Sequence, residues 1–380
     1  MNEKDYIFFD HNATTPLRAG VWEAMGAVAQ APLNASSVHG VGRAAKKVLA
    51  DARAKIAKAF GAEGATIIFT STGTEANNTA LRGVKGVQVV VVSEVEHAST
   101  AKPASFLNNV LLPVDGNGLV RIDKLQEVCA ALKEAGRKFL VSIIHANNES
   151  GVIQNVKALS EIIFAHGGFF HIDASQSAGK IEFDFNNLGC DMATISAHKF
   201  GGPKGAAALI VKSGLEIEPL IYGGGQEKSL RAGTENLAAI VGFAEAAEQA
   251  VSQLKDESSK VKGIRDLIEA GIKNISSEAV IFGQSVERLP NTSLISMPGM
   301  GSETQLINFD LEKIAVSAGA ACSSGRIVTS HVLVAMQVPQ DIAQCAIRVS
   351  LGWNNTLKEA ERFLYVWGRN YERVKEKLAA

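Results

Sequence analysis

The chain has 380 residues, of which 46% are hydrophobic and 20% are charged, and its formal net charge at pH 7 is −1. This composition is typical of a globular protein with a sizeable core, built as one large domain or two ordinary ones. The near-zero charge, without any block of like charges, argues against a nucleic acid or an anionic membrane as a partner. We expect no signal peptide, and no apolar run has the length that a bilayer requires.

The cysteines, by contrast, are few and scattered. Cys129, Cys190, Cys322 and Cys345 form no C-x-x-C pair, and no histidine lies at a spacing that suits zinc. We therefore predict no metal site and a cytoplasmic protein with reduced thiols.

In chain order, short β-branched runs alternate with helical segments. Strands are predicted at 66–70, 87–93, 138–146, 168–173 and 192–197, and helices at 74–84 and 156–168. The segment at 87–93 is an apolar run of the kind that fully buried parallel strands have, and those at 138–146, 168–173 and 192–197 are similar to it. This alternation predicts an α/β fold with a mostly parallel central sheet.

Past Thr234 the pattern changes. Residues 235–275 are rich in alanine and charged residues, which predicts one long helical stretch, and shorter apolar segments follow it (AVIFG, TSLISM, IAVSAG and AIRVSLG). We predict a second, smaller α+β domain from about residue 250 onward, with the long helix as its connector.

Chemically capable residues follow each predicted strand. In chain order they are the segment STGTEANN at 71–78, His97, Asn147 and Asn148, Asp173 and Gln176, and finally Ser196, His198 and Lys199. Ligands of open α/β sheets bind outside the carboxyl ends of the strands. We therefore expect these residues to share one edge of the sheet.

The STGTEANN segment has two interpretations. Gly73 and Thr74, with free backbone N–H groups at a helix N-terminus, could hold an anion. Alternatively, Thr72 and Glu75 form a plain capping box, which is the better interpretation of the segment taken alone. A nucleotide P-loop is excluded because no G-x-x-x-x-G-K-[ST] motif is present.

Asp173 and Lys199 together indicate a site that neither residue indicates alone. Alone, Asp173 could be a buried carboxylate bonded to backbone, and Lys199 a lysine that reaches solvent. Together they match a pyridinium cofactor, which needs an acid at its ring nitrogen and a lysine for its aldehyde. Thr74, Ser196 and His198 would then hold its phosphate, and the ring of His97 would cover its face. The remaining histidines are expected to be structural or exposed: His11, His39, His145, His166, His171 and His331.

Cys322 differs from the other three cysteines in its surroundings. It lies among Ala, Gly and Ser in AVSAGAACSSGRI, a composition typical of an exposed loop, and it is a candidate nucleophile. The other three cysteines are expected to be buried small hydrophobes. Arg348 could clamp a substrate carboxylate, although a structural or surface arginine is the commoner role.

These residues and motifs resemble cysteine desulfurases of the NifS/IscS type, fold-type I pyridoxal-phosphate enzymes of aminotransferase class V. The resemblance runs nearly end to end. The segments that carry it are FFDHNATTPL, NASSVHGVGR, TSTGTEANN, EHAS, NNESG, HIDASQS, SAHKFGGPKG, GGGQEKSLRAGTEN and SAGAACSSG. The phosphate loop departs from the family in having Thr72 where glycine is usual, which is expected to alter the local turn.

The resemblance implies a large cofactor domain at 16–250 and a small domain at 1–15 plus 251–380 that carries the cysteine loop. It implies catalytic roles for Lys199, Cys322 and His97, and substrate binding by Asn148 and Arg348. The implied pyridoxal 5′-phosphate site comprises Gly73, Thr74, His97, Asn148, Asp173, Gln176, Ser196, His198, Lys199 and Thr234, the last reaching the partner subunit of a homodimer.

The implied reaction converts L-cysteine to L-alanine and leaves a persulfide on Cys322. The sulfur would pass to a protein acceptor, either an iron–sulfur scaffold or a thiolation enzyme. A selenocysteine lyase and another class V aminotransferase are the alternatives. A non-enzymatic sulfur-relay scaffold or cofactor-binding regulator is weaker, since it would have no use for a complete catalytic set.

Overall fold

The computed structural model describes residues 6–318 and 329–379. Its strands are β1 (Ile7–Phe8), β2 (Thr66–Thr70), β3 (Val89–Ser93), β4 (Asn109–Leu112), β5 (Phe139–Ile144), β6 (Phe169–Asp173), β7 (Met192–Ser196), β8 (Ala207–Val211), β9 (Val280–Ile281), β10 (Thr292–Ser296), β11 (Ile314–Ala315), β12 (Ser317–Ala318) and β13 (Ala346–Ser350).

The helices surround these strands. They are α1 (Val21–Ala29), α2 (Gly40–Ala59), α3 (Gly73–Gly83), α4 (Ala98–Ala104), α5 (Ile122–Glu134), α6 (Val156–Ala165), α7 (Phe185–Leu188), α8 (Leu237–Ser252), α9 (Leu254–Ile275), α10 (Ser302–Leu311), α11 (His331–Ala335), α12 (Gln340–Ala343) and α13 (Leu357–Ala379). Each predicted strand and both predicted short helices are confirmed, with ends shifted by a few residues. None of the described helices combines the length and the hydropathy that crossing a bilayer demands.

The central sheet has the strand order β2-β8-β7-β6-β5-β3-β4. The pairs among β3, β4, β5, β6 and β7 are parallel, whereas β8 runs antiparallel to both of its neighbours. The short link from β7 to β8 lacks a crossover helix, so the chain turns back beside β7. The predicted α/β class with a mostly parallel sheet is confirmed, and β2, β3, β5, β6 and β7 end at one edge, called the rim below.

The predicted single long helix at 235–275 is wrong. The chain forms α8 and α9, which are separated at Gln253, where φ is −100° and ψ is 0°. The two helices bury their apolar faces in different cores: Phe243 of α8 packs in the core around the central sheet, and Ile264 of α9 in a second core. The break allows each face to meet its own core.

That second core surrounds the smaller sheet, whose strand order is β12-β13-β10-β9. It contains Phe9 near the chain start together with residues between Val261 and Val374, and β1 pairs in parallel with β11. The first core also takes in Leu294 and Leu333 from the C-terminal part. The domain bounds 16–250 and 1–15 plus 251–380 therefore stay a proposal, supported by the location of Phe9.

Candidate active site

The rim gathers most of the polar residues that the sequence singled out. After β2, Gly73 and Thr74 begin α3; after β3, His97 precedes α4; and Asn148 follows β5. Asp173 is the last residue of β6, where it pairs in register with Ile144 and Thr194 of the neighbouring strands. Ser196 ends β7, and a single 3-10 turn, Ala197–Lys199, carries His198 and Lys199.

The segment after β2 is both a helix cap and an open turn. Thr72 Oγ1 accepts a hydrogen bond from the Glu75 backbone N–H at 3.1 Å, which confirms the predicted cap. The Glu75 carboxylate bonds to the N–H of Ser71 and pairs with Arg231. Thr72 has φ −152°, which any residue adopts, so this turn needs no glycine there. A Cβ at Gly73 would lie 3.3 Å from Ser175 Oγ, so the glycine keeps space open at the start of α3.

Asp173 is a buried carboxylate whose two oxygens are both used as acceptors. Oδ1 accepts from the backbone N–H of Ser175 at 2.9 Å, and Oδ2 accepts from Nδ2 of Asn77 at 2.7 Å. Asn77 lies on α3 and is itself buried. The structure therefore holds an oriented anion at the rim, which is the group that a pyridinium nitrogen requires.

Lys199 directs its amine toward backbone carbonyls of the N-terminal segment. Its Nζ donates to the oxygens of Asn12 at 2.6 Å and Ala13 at 3.0 Å. Burial lowers the pKa of Lys199 to about 8, and the positive charge of Arg348 adds to this, whereas Asp173 and Asp10 oppose it. A substantial fraction of the amine is then neutral near physiological pH, as attack on an aldehyde demands.

Asn12 joins this lysine to the rest of the site and was assigned no role in the sequence analysis. Its carbonyl accepts from Lys199 and from Gln176 Nε2, and its side-chain oxygen accepts from Lys180 Nζ at 2.9 Å. Its Nδ2 donates to the carbonyl oxygen of Asn148 at 3.2 Å. The motif FFDHNATTPL contains this asparagine, but no local pattern shows that it binds residues so far along the chain.

Gln176 is held from both ends. Its Oε1 accepts from Lys180 Nζ at 2.6 Å while its Nε2 donates to Asn12. Burial lowers the pKa of Lys180 well below its ordinary value, and repulsion from Lys199 and Arg348 acts in the same direction. The amide orientation of Gln176 is thereby set before any ligand binds.

Arg348 lies on β13 of the smaller sheet and reaches the rim from there. Its Nη2 pairs with Asp10 at 2.6 Å, and its Nη1 donates to the carbonyl oxygen of Asn148 at 2.9 Å. Its Nε is buried without a partner among the described residues. These contacts are compatible with both roles expected for Arg348. The bonds to Asp10 and Asn148 are structural, and the unused Nε donor is available for a substrate carboxylate.

The residues expected to hold a phosphate lie on two neighbouring elements. Ser196 is buried, and its Cβ would be 3.6 Å from a Cβ built on Gly73. His198 Nδ1 lies 3.2 Å from Thr14 Oγ1, and burial, with Lys199 and Lys204 nearby, lowers its pKa to about 4. His198 is therefore neutral at pH 7 and can act as a hydrogen-bond donor, but it brings no positive charge.

Two predicted site residues are not brought to the rim by the described structure. Thr234 is exposed and makes no hydrogen bond to the rim residues among the described ranges. Cys322 lies outside the described residues. The other three cysteines are buried as predicted, and burial raises the pKa of each thiol, to about 11 for Cys129.

The histidines without a predicted role lie in the interior or in helix caps, except His331, which lies exposed at the start of α11. Burial lowers the pKa of His11 to about 3 and the pKa values of His145 and His171 to about 4. His39 caps α2, and His331 bonds to the carbonyl oxygen of Glu96. Within residues 6–318 and 329–379 no cluster of three or more His, Cys, Asp or Glu side chains could bind a metal.

The chain is similar in sequence and structure to several known proteins. The family model described as aminotransferase class-V matches residues 7–363. The cysteine desulfurase IscS of Dictyoglomus turgidum is 41% identical over 99% of this chain and 96% of its own, and cysteine desulfurase IscS 1 of Archaeoglobus fulgidus is 38% identical over 97% of each. The crystal structure of a NifS-like protein from Rickettsia africae has a TM-score of 0.89 at 38% identity, covering 97% of this chain and 99% of that one. The chain therefore belongs to the class-V aminotransferase family.

Proposed function

We propose that this protein is a pyridoxal-phosphate-dependent cysteine desulfurase that converts L-cysteine to L-alanine and forms a persulfide on Cys322. The observation that carries the proposal is the rim itself. An oriented Asp173 carboxylate and a Lys199 amine of lowered pKa share one sheet edge with the open turn at Gly73. Relatives of nearly the same length are named cysteine desulfurases, which favours this activity over a selenocysteine lyase or another aminotransferase.

The residues present fit the cofactor by their chemistry. Asp173 would bind the pyridine nitrogen, Gln176 the ring oxygen, and Lys199 the aldehyde carbon. Gly73, Thr74, Ser196 and His198 would bind the phosphate, and the His97 ring would stack on the cofactor, with Asn148 at its edge. When bound, the cofactor supplies an electron sink for the carbanion at the substrate Cα.

Lys199 would move the proton at the substrate Cα, because its pKa of about 8 allows it both to accept and to return a proton near neutral pH. Arg348 and Asn148 would orient the substrate carboxylate. The thiolate of Cys322 then attacks the substrate sulfur. An S–S bond forms, the substrate Cβ–S bond breaks, and Cβ takes up a proton, so that cysteine and an enzyme thiol become alanine and an enzyme persulfide.

The proposal extends to the oligomeric state, the location and the sulfur acceptor. We propose a homodimer, since Thr234 is exposed and several large apolar side chains are exposed as well, among them Trp22 at 68%, Val38 at 88% and Tyr222 at 77%. We also propose a cytoplasmic location, supported by free thiols at the three described cysteines. The sulfur acceptor would be an iron–sulfur scaffold or a thiolation enzyme.

The deciding experiment measures alanine and sulfide formed from L-cysteine in the presence of pyridoxal phosphate and a reductant. The wild type and Cys345→Ser, a control at a buried thiol that donates to the Asp341 carbonyl oxygen, should both be active. Cys322→Ser should bind the cofactor and form no alanine, and Lys199→Ala should lose the absorbance of the bound cofactor. Undiminished alanine formation by Cys322→Ser, or an unchanged spectrum of Lys199→Ala, would disprove the assignment.

A further inference from the structure

A chain of hydrogen bonds joins Asp173 to His97 through Asn77 and Ser99. Nδ2 of Asn77 donates to Asp173 Oδ2 at 2.7 Å and to Ser99 Oγ at 2.8 Å. Ser99 Oγ in turn lies 2.7 Å from His97 Nδ1. Asn77 and Ser99 are both buried, on α3 and α4. The carboxylate and the imidazole expected to contact the cofactor are thus connected within the protein.

The direction of each bond in this chain follows from the carboxylate. An ionised carboxylate only accepts hydrogen bonds, so the amide nitrogen of Asn77, and not its oxygen, must face Asp173. The second hydrogen of the same nitrogen then goes to Ser99 Oγ. Since that oxygen accepts from Asn77, its own hydrogen is left to be donated to His97 Nδ1.

The backbone leads to the same conclusion independently. His97 is the N-cap residue of α4, and its Nδ1 accepts a hydrogen bond from the Ser99 backbone N–H at 3.1 Å. A nitrogen that accepts from two donors must carry a lone pair and no proton. The proton of a neutral His97 therefore lies on Nε2, which has no hydrogen-bond partner among the described residues and belongs to an exposed side chain.

The geometry points to Ser99 and Asn77 as positioning residues that hold His97 as the neutral tautomer with its proton on Nε2, in a direction set by Asp173. Desolvation lowers the pKa of His97, and the charges of Lys199, His331 and Arg348 act in the same direction while Asp173 opposes them. The cationic form, which would need a proton on Nδ1, is thereby disfavoured as well.

The catalytic meaning of this tautomer rests on the proposed function. His97 would offer the ligand a hydrogen-bond donor at Nε2. It could not accept a proton there, because Nε2 already carries one and Nδ1 is occupied by two donors. Proton transfer at the substrate Cα is then left to Lys199, and His97 stacks and donates.

The tautomer can be measured directly by NMR on the full chain labelled with ¹⁵N-histidine. The His97 signals are assigned by their loss in His97→Gln. We expect a pyridine-type Nδ1 and a pyrrole-type Nε2 in the wild type. Ser99→Ala removes one of the two donors to Nδ1 and should move the tautomer ratio about fivefold toward Nδ1–H, which corresponds to one ordinary hydrogen bond.

Two further variants separate this effect from general disturbance of α4. Asn77→Ala frees the Ser99 hydroxyl from its donor and should shift the ratio in the same direction, whereas Ser99→Thr keeps the hydroxyl and should preserve the ratio. Ser105→Ala, at the exposed end of the helix where Oγ bonds to the Lys102 carbonyl oxygen, should change nothing.

A protonated Nδ1 in the wild type, or a Ser99→Ala ratio equal to that of the wild type, would overturn the inference. The result is independent of turnover. A protein with the expected tautomer that forms no alanine would refute the proposed function alone, and an active desulfurase with protonated Nδ1 would refute this inference alone.

Discussion

Replacing Glu227 by alanine should destabilise the strained turn at Glu227–Ser229. Glu227, Lys228 and Ser229 all have left-handed backbone, with φ of 48°, 59° and 65°. This conformation costs roughly 1–2 kcal/mol for each non-glycine residue. The Glu227 carboxylate accepts from Arg53 at 2.7 and 2.8 Å and from the backbone N–H of Phe69 at 2.9 Å. These bonds attach the strained turn to α2 and β2.

The expected loss follows from those three bonds. Breaking a buried ion pair from one side costs about 3–5 kcal/mol. Arg53 is 24% exposed and can be partly hydrated, which places its share at the lower end of that range. The unpaired N–H of Phe69 adds about 1 kcal/mol or more. We therefore expect Glu227→Ala to lower the free energy of unfolding by about 4 kcal/mol.

The assay is urea unfolding, with the shift in midpoint converted at constant slope. The control is Glu216→Ala, whose pair with Lys85 spans 3.6 Å and whose side chain is 80% exposed. It should change stability by no more than about 0.5 kcal/mol. If Glu227→Ala lost no more than this control, the reasoning that one carboxylate holds the strained turn would be refuted.

Other outcomes follow from single contacts. Gly352→Ala would place a Cβ 2.1 Å from the His11 ring and should lower the free energy of unfolding by about 1–3 kcal/mol. Gly263→Ala, where α9 has open space, should raise it by about 0.5–1 kcal/mol. Urea unfolding measures both changes. Burial raises the pKa of Glu96 to about 8, so its contribution to stability is present below the unfolded pKa and is lost as pH rises to about 8. Glu96→Gln should therefore gain stability relative to the wild type between pH 5 and pH 8, and equal pH profiles would contradict this. Because the pKa of Lys199 is lowered to about 8, the rate of cofactor attachment, followed by absorbance, should level off above that pH; a rate still rising toward the ordinary lysine pKa of about 10.4 would contradict it.

Local patterns were enough to locate the central strands and the polar residues behind them. A continuous apolar run such as 87–93 can only be a buried segment, and a carboxylate at the end of one, as at Asp173, needs a partner. The rule that parallel strands end at one edge then placed Asp173 and Lys199 together. The structure confirms that placement.

The break at Gln253 could not be predicted in the same way. Residues 235–275 have strong helix-forming composition throughout, and no glycine or proline marks position 253. The helix ends there because α8 and α9 pack in different cores, and the division of the interior into separate cores is a property of the whole chain.

The sequence by itself determined the fold class, the polar residues that follow each strand, and the combination of an acid at Asp173 with an amine at Lys199. Each of these depends on residues close together in the chain. Only the tertiary structure decided the roles of Asn12, Asp10, Asn77 and Ser99. Their partners lie between 2 and 338 residues away, and most lie far along the chain. Hydrogen-bond direction at such a distance depends on which donors the fold brings together, and no local pattern encodes it.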